Sequence, residues 1–503
     1  MINLVKNPDL VAIFLNSEQK IEFEKNSFPM TLLEIFTSKC EKLFPNINKF
    51  INVNINNFIF IESYIELDFL YKVASNLSAS ESDDKDIDEI YLAYFSGLSP
   101  LVDINLSKIL IEKHKRYLSQ YSFSENLPPG IVPTLISREF ISTIPDNLNT
   151  RFHDFLIKNI NNYDTEIYYE SPDLRNYRLD FTLNSKRSID ITLDLLKINN
   201  DLDYKSILPE LKKNPSLFRS GPSYIEVELY RGCDYSCTFC PRNSLSKDRD
   251  GEYITKIDLK NVYNQLNLIS NKYTICFGGM GEPLHHPEFT DILNISTLDD
   301  NISEIIIETA LYTNLDNLVQ FIENLNQEDR KKLTFIINIS TIKEESYKSL
   351  YPNSKQTLNE LLNKIYTLKK ILGKNSIYVQ ILKIQEIETQ IEEYFNFFEN
   401  QDIQIILQKY NSYANRLPEK RVSDLTPINR DFCWHLARDL YVQSNGNVSA
   451  CKQVEDVILG NIKKDSINEI WINNSERFSK SFLTYTCGDL PCTSCDEWYT
   501  FNG

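Results

Sequence analysis

Three cysteines stand at Cys233, Cys237 and Cys240, spaced C-x3-C-x2-C within "RGCDYSCTFCPRN". No histidine lies close by to make a fourth ligand. Thiolates suit zinc and iron–sulfur clusters. A structural zinc site gains its stability from four closed ligands. Three thiols on one loop instead satisfy three corners of a cubane and leave one iron open. An open iron can bind and activate another molecule, so the spacing points to a chemical site. A zinc loop or a chance grouping is the alternative. A second set, Cys433, Cys451, Cys487, Cys492 and Cys495, crowds the C-terminal end.

Bulk properties limit what these thiols can serve. The chain has 503 residues, 42% hydrophobic and 24% charged, the composition of a globular protein. That length suggests roughly three domains. The net charge of −17 argues against non-specific nucleic-acid binding, which relies on basic surfaces. The first residues lack a basic, then apolar, leader pattern, and nowhere do 18 apolar residues run together. The expectation is a cytoplasmic chain without a membrane span. In a reducing compartment, clustered cysteines bind metal or react more often than they pair.

The elements that must position the thiols are legible as alternating patterns. Short apolar, β-branched runs occur at 224–230, 273–279, 304–310, 333–340, 376–384 and 403–410. Stretches with helical spacing, such as "TLNELLNKIYTLKKIL" (357–372), separate most of them. Strand–helix alternation predicts a parallel sheet covered by helices, and six units could make an open or partial barrel. Sites in such folds form at the C-terminal strand ends, where the cysteine loop should lie. Breaks near 206–222 and 416–430, rich in proline and charge, divide the chain. The expected order is an α/β domain over 1–205, a linker over 206–222, a barrel over 223–425 and a small cysteine-rich domain over 426–503. The acidic stretch 80–89 reads as a solvated loop.

The triad, with Phe239 just before its last cysteine, resembles the radical S-adenosylmethionine (SAM) signature. That resemblance implies a partial (β/α)6 TIM-like barrel and a 4Fe–4S cluster on Cys233, Cys237 and Cys240. It implies that the open iron chelates SAM, whose reductive cleavage gives a 5′-deoxyadenosyl radical that abstracts hydrogen from a substrate. "FGGMGEPLHHP" (277–287) resembles the family's glycine–glutamate motif. SAM contacts are then expected from Phe239, Gly279, Gly281, Glu282 and Ser340. An ordinary strand-ending turn is the bland reading of that motif, and a cap that of Ser340. His285 and His286 read as surface loop residues, and Cys276 and Cys40 as core. The strand phase of Glu226 and Glu228 could aim both carboxylates into the pocket.

The C-terminal pattern, with Gly446 turning the chain before Cys451, resembles the SPASM/twitch extension, which carries an auxiliary 4Fe–4S cluster. Full SPASM modules have more cysteines. One cluster on Cys433, Cys451, Cys492 and Cys495 is the economical count, with Cys487 spare or an alternative ligand. A four-cysteine zinc site shares that spacing. "SINEIW" carries a Ser466–Glu469 capping box opening a short helix.

Residues 1–205 also read as α/β. "LVAIFLN" looks like a first strand and 31–44 like a helix. The stretches 89–118, read as strand, turn, helix, and 125–133 resemble sugar cytidylyltransferases. The family's glycine-rich basic loop is absent from "NSEQKIEFEKNS". Its two metal-binding aspartates correspond to Leu98 and Asn184. Nucleotidyl transfer needs carboxylates to hold a divalent ion, so a catalytically dead nucleotidyltransferase-like domain is expected. The three-part order resembles the spiro-SPASM group. Together these readings predict a radical SAM enzyme acting on a peptide or sugar-containing substrate, with a flavodoxin or ferredoxin as reductant. A bifunctional nucleotidyltransferase/radical SAM enzyme, or a non-catalytic iron–sulfur sensor or electron carrier, are the alternatives.

Overall fold

The computed structural model describes residues 8–17, 19–20, 29–76, 91–145, 152–245, 249–423, 426–485 and 492–499. The chain forms two compact units, Met1–Leu217 and Phe218–Gly503.

The first unit is built on a seven-stranded mixed sheet. Its strands are β1 (Leu10–Ile13), β2 (Lys49–Ile51), β3 (Ile59–Phe60), β4 (Tyr91–Phe95), β5 (Tyr121–Ser124), β6 (Thr134–Ser137) and β7 (Thr165–Tyr168), in the order β3-β2-β1-β4-β6-β5-β7. β6 runs antiparallel to both β4 and β5. β1 and β4 are buried along their whole length, as central strands covered on both faces are. The helix Met30–Leu43 buries Leu33, Phe36, Cys40 and Leu43 on one face, placing Cys40 in the core as its spacing predicts. The strand–turn–helix expected over 89–118 is β4 followed by Ile104–Arg116, capped by the Asp103 carboxylate. The acidic stretch 80–89 lies outside the described residues. The expected linker is partly regular: Tyr204–Lys213 is a helix with Pro209 inside it. The Asp203 carboxylate caps that helix at Ser206 N–H, and Pro209 falls within its first two turns.

The second unit carries the cysteines on a nine-stranded sheet. The six parallel strands β8 (Tyr224–Val227), β9 (Tyr273–Phe277), β10 (Ile302–Thr309), β11 (Leu333–Asn338), β12 (Ile377–Lys383) and β13 (Gln404–Lys409) neighbour one another in chain order. Each falls inside one of the six predicted runs to within two residues. Beyond β8 the sheet continues through β14 (Asp439–Val442), parallel to β8. It ends in the antiparallel β15 (Asn447–Ser449) and β16 (Ile458–Asn461). The C-terminal segment from 426 onwards therefore shares one sheet with the strands before it. Helices such as Lys256–Ile269 and Leu358–Leu372 pack their apolar stripes on one face of the sheet. Thr357 opens the latter with a capping box.

Candidate active site

Strand parity builds the site. On β10, Ile305 and Ile307 are fully buried against the helices, while Glu304, Ile306 and Glu308 point the other way. Residues two apart share a face. Register pairs Glu226 with Cys276, Cys276 with Ile306 and Ile306 with Thr334. On the next strands, Asn338 pairs with Gln380. The free face lines a cavity of about 630 Å³.

All three cysteines of the triad line this cavity, with Phe239, Gly279, Gly281, Glu282 and Ser340. The triad follows β8 on a loop that is nearly free of regular structure. Burial pushes the Cys233 thiol up to about 12, with the Glu282 carboxylate adding to it. The Cys237 thiol is also raised, by burial and then by Cys240 and Cys233. Three desolvated thiols side by side disfavour bare thiolates, so a metal group is what would hold them deprotonated. Among the described residues no three Cys, His, Asp or Glu side chains converge on a single ion. Arg242 is buried beside the loop, donating to the Cys233 carbonyl at 2.9 Å and pairing with Asp250 at 2.6 Å.

The glycine–glutamate segment packs against the cysteine loop. Glu282 N–H donates to the Gly232 carbonyl at 2.9 Å. A Cβ on Gly281 would overlap the Tyr230 carbonyl oxygen, and Gly279 holds a φ of +90°. These glycines bring two loop backbones together, a closer constraint than the ligand approach expected of them. The Glu282 carboxylate is almost fully buried. It accepts from Thr309 Oγ1 at 2.5 Å, Ala310 N–H at 2.9 Å and Leu284 N–H at 3.2 Å. Burial still raises its pKa above the ordinary carboxylate value. Ser340 N–H donates to the Tyr351 hydroxyl at 3.1 Å, so this serine is fixed at the strand end and faces the cavity.

Glu226 and Glu228 separate in role. Glu226 lines the cavity, whereas Glu228 is fully buried away from it. Glu228 pairs with Arg231 at 2.6 Å and accepts from Met280 N–H, Tyr441 Oη and both donors of Ser444. Arg231, itself fully buried, reaches on to Glu455 at 2.9 Å. Two residues before Cys233 and four after Cys451, this ion pair links the two cysteine-bearing loops.

Of the C-terminal cysteines, Cys451 lines the same cavity and follows the β14–β15 hairpin that Gly446 turns with a φ of +88°. Burial raises the Cys451 thiol, and Cys495 lies near enough to raise it further. Burial likewise pushes Cys495 up to about 11. Cys492 and Cys495 share a short turn, with Cys495 N–H bonded to the Cys492 carbonyl at 3.2 Å. The Arg430 guanidinium donates to the carbonyls of Cys492, Thr493 and Cys495. Cys433 is anchored by its N–H to Ser481 Oγ at 3.1 Å. Cys487 lies outside the described residues. The Ser466–Glu469 capping box is present.

One expectation changes. His286 is not a surface residue: it is 3% exposed, its Nε2 sits 2.7 Å from the Ile254 carbonyl, and it serves to fasten the turn. Beside Glu226, the cavity is lined by Lys452 and Glu308, which no sequence motif marks. Lys452 pairs with Glu226 at 3.0 Å and stands 3.7 Å from Glu308. Burial opposes its charge, but the two carboxylates outweigh that and hold its pKa well above the usual lysine value. Burial, with Glu308 adding to it, raises Glu226 to about 7 against the pull of Lys452. A Cβ on Gly278 would stand 3.1 Å from Glu308 and 3.3 Å from Glu226, so the bare glycine leaves them room.

Comparison with known proteins agrees with this chemistry. Residues 227–398 match the radical SAM superfamily, and residues 433–496 match the SPASM iron–sulfur cluster-binding domain. The protein is thus an enzyme carrying a radical SAM domain and a SPASM domain. Its cofactors are a 4Fe–4S cluster, SAM and an auxiliary iron–sulfur cluster, and it cleaves SAM at the first cluster. An uncharacterized protein of Treponema pallidum (strain Nichols) is 23% identical over 68% of this chain and 96% of its own length. Among solved structures, BtrN in complex with AdoMet and 2-DOIA is 19% identical, covering 54% of this chain and 92% of its own, with a TM-score of 0.36. Streptococcus suis SuiB bound to precursor peptide SuiA is 14% identical, covering 61% and 81%, with a TM-score of 0.43. The assignment rests on the two family matches. No helix among the described residues is long and apolar enough to cross a membrane.

Proposed function

We propose that the cavity of the second unit is the reaction chamber of a radical SAM enzyme acting on a peptide or sugar-containing substrate. In this reading Cys233, Cys237 and Cys240 hold the SAM-binding cluster. The observation that carries it is that three half-buried thiols and the buried Glu282 line one cavity. When bound, the cluster supplies the electron that breaks the sulfonium and yields the 5′-deoxyadenosyl radical.

The residues of the chain bind, orient and shield. Glu282, fixed by Thr309 and Ala310, offers its carboxylate to the SAM amino group. Phe239 and Ser340 bound the space for the nucleoside, and Gly279 and Gly281 keep the carboxylate loop tight against the cysteine loop. Buried walls exclude water from a site where a radical must survive. Cys433, Cys451, Cys492 and Cys495 hold the auxiliary cluster, with Cys487 as an alternative ligand. That Cys451 lines the cavity supports reading this cluster as an electron relay beside the substrate space.

The six parallel strands are read as a partial (β/α)6 barrel spanning 223–425, with the auxiliary domain at 426–503. The first unit is read as a nucleotidyltransferase-like domain without catalysis. Leu98 is fully buried, and Asn184 bonds Asn16 at 3.1 Å, so neither supplies a metal-binding carboxylate. The reading places the enzyme in the cytoplasm, reduced by a flavodoxin or ferredoxin.

Anaerobic reconstitution followed by iron, sulfide and 5′-deoxyadenosine assays tests this. About eight irons per chain and reductant-dependent 5′-deoxyadenosine are expected. Two intact clusters without any SAM cleavage would favour the sensor or electron carrier. Pyrophosphate released from CTP would favour the bifunctional enzyme.

A further inference from the structure

The segment that supplies the triad also supplies a cation. Arg242 stands two residues after Cys240, at the start of the short helix Arg242–Leu245, and is 6% exposed. Its side chain folds back onto the cysteine loop. One terminal nitrogen donates to the Cys233 carbonyl at 2.9 Å and the other to the Asp250 carboxylate at 2.6 Å. Beside it, the Asn243 side-chain amide donates to the Cys237 carbonyl at 2.9 Å. The two residues that follow Pro241 thus grip the backbone of the first two cysteines.

A grip on carbonyls needs no charge, since Asn243 achieves it with an amide. Arg242 brings more than the grip requires. A buried guanidinium is costly unless its charge and each N–H are answered. Its ion-pair partner Asp250 has a side chain 45% exposed, where solvent screens the pair. Its Nε–H is buried and has no acceptor among the described residues. The other groups close to this guanidinium are sulfurs. Burial pushes the Cys240 thiol up, and Arg242 draws it down through its backbone N–H, its charge and its side chain. A neutral thiol is a weak acceptor, whereas a thiolate offers a full charge to a charged donor. Both the spare N–H and the part-compensated cation are answered when Cys240 ligates as a thiolate.

We infer that Arg242 is a positioning residue of the SAM-binding cluster, holding the loop through the Cys233 carbonyl and donating its Nε–H to the Cys240 sulfur once that sulfur is a ligand. This rests on the reading of the triad as the cluster site and adds what sets the ease of reducing it. Reduction adds one negative charge to the cluster, and a cation with an N–H on a ligand sulfur favours the more negative form. Arg242 therefore eases the electron in, and Asp250, paired with it, takes back part of that effect.

A potentiometric titration followed by electron paramagnetic resonance tests it, in a Cys451→Ala parent expected to retain only this cluster. Arg242→Met keeps the apolar stem without the donors or the charge. It should lower the midpoint potential by about tenfold in the reduction equilibrium, or about 59 mV, one charge-assisted hydrogen bond being worth about that factor. Asp250→Asn leaves the bond to Cys233 in place and should shift the potential the other way, by less because the carboxylate is half exposed. An Arg242→Met cluster at or above the parent potential overturns the inference. Should Arg242→Met take up no iron, Asp250→Asn decides, and a midpoint at or below that of the parent overturns it. A parent that binds no iron at the triad strikes the cluster reading and this inference with it. A bound cluster whose potential ignores both substitutions strikes this inference alone.

Discussion

The two sheets of this protein are made differently, and the difference marks where the chemistry is. In the first unit, β4 is Tyr-Leu-Ala-Tyr-Phe and every residue is buried. In the second, β10 alternates, with isoleucines towards the helices and Glu304 and Glu308 towards the cavity. A sheet meant only to pack fills both faces with apolar side chains. A sheet that also lines a reaction chamber keeps one face polar, and each buried carboxylate then needs a partner. Glu226 and Glu308 find one in Lys452, and Glu228 in Arg231.

The comparison can be broken most sharply at the cysteines. Cys240→Ala should halve the iron content and abolish 5′-deoxyadenosine formation, whereas Cys40→Ala, in the core of the first unit, should leave both unchanged. Next in size is the buried ion pair. Arg231→Met takes the arginine from Glu455 and leaves Glu228 with Arg249 as its remaining cation, and should cost about 3–5 kcal/mol by denaturant unfolding. Exposed pairs such as Lys197–Asp194 in the first unit should cost under about 1 kcal/mol when broken.

The pH dependence comes third. Glu226 keeps its proton to about 7 in the folded chain, against an ordinary value of 4.5. The folded state then binds the extra proton between those values. Its stabilising effect is complete below about 4.5 and is lost as pH rises through 7. Glu226→Gln should flatten that slope, by about 1–3 kcal/mol across the window. Loss of a helix cap should have the same small effect in both units. Thr357→Ala and Ser185→Ala each remove a capping box and should each cost about 1 kcal/mol. Neither should alter SAM cleavage.

What could be read from the sequence follows the same division. The six parallel strands were legible because each is a short β-branched run between helical patterns. The triad was legible because its ligands are close together in the chain. Lys452 was not, since it meets Glu226 only because β14 pairs with β8, a contact between residues 226 apart. Glu304 and Glu308 carried a signal in "EIIIET": two acids four apart share one face of a strand. His286 in "PLHHP" looked like a surface residue because only the fold brings the Ile254 carbonyl to it. The helix over Tyr204–Lys213 was hidden by Pro209, which sits inside it and would by itself argue against a helix there.

The central claim is an open iron held by three protein thiols. It is tested most directly in Cys451→Ala, expected to retain only that cluster, by electron paramagnetic resonance of the reduced protein with and without SAM. The account predicts a cluster signal that changes when SAM is added. A signal indifferent to SAM, or zinc in place of iron at Cys233, Cys237 and Cys240, would contradict it.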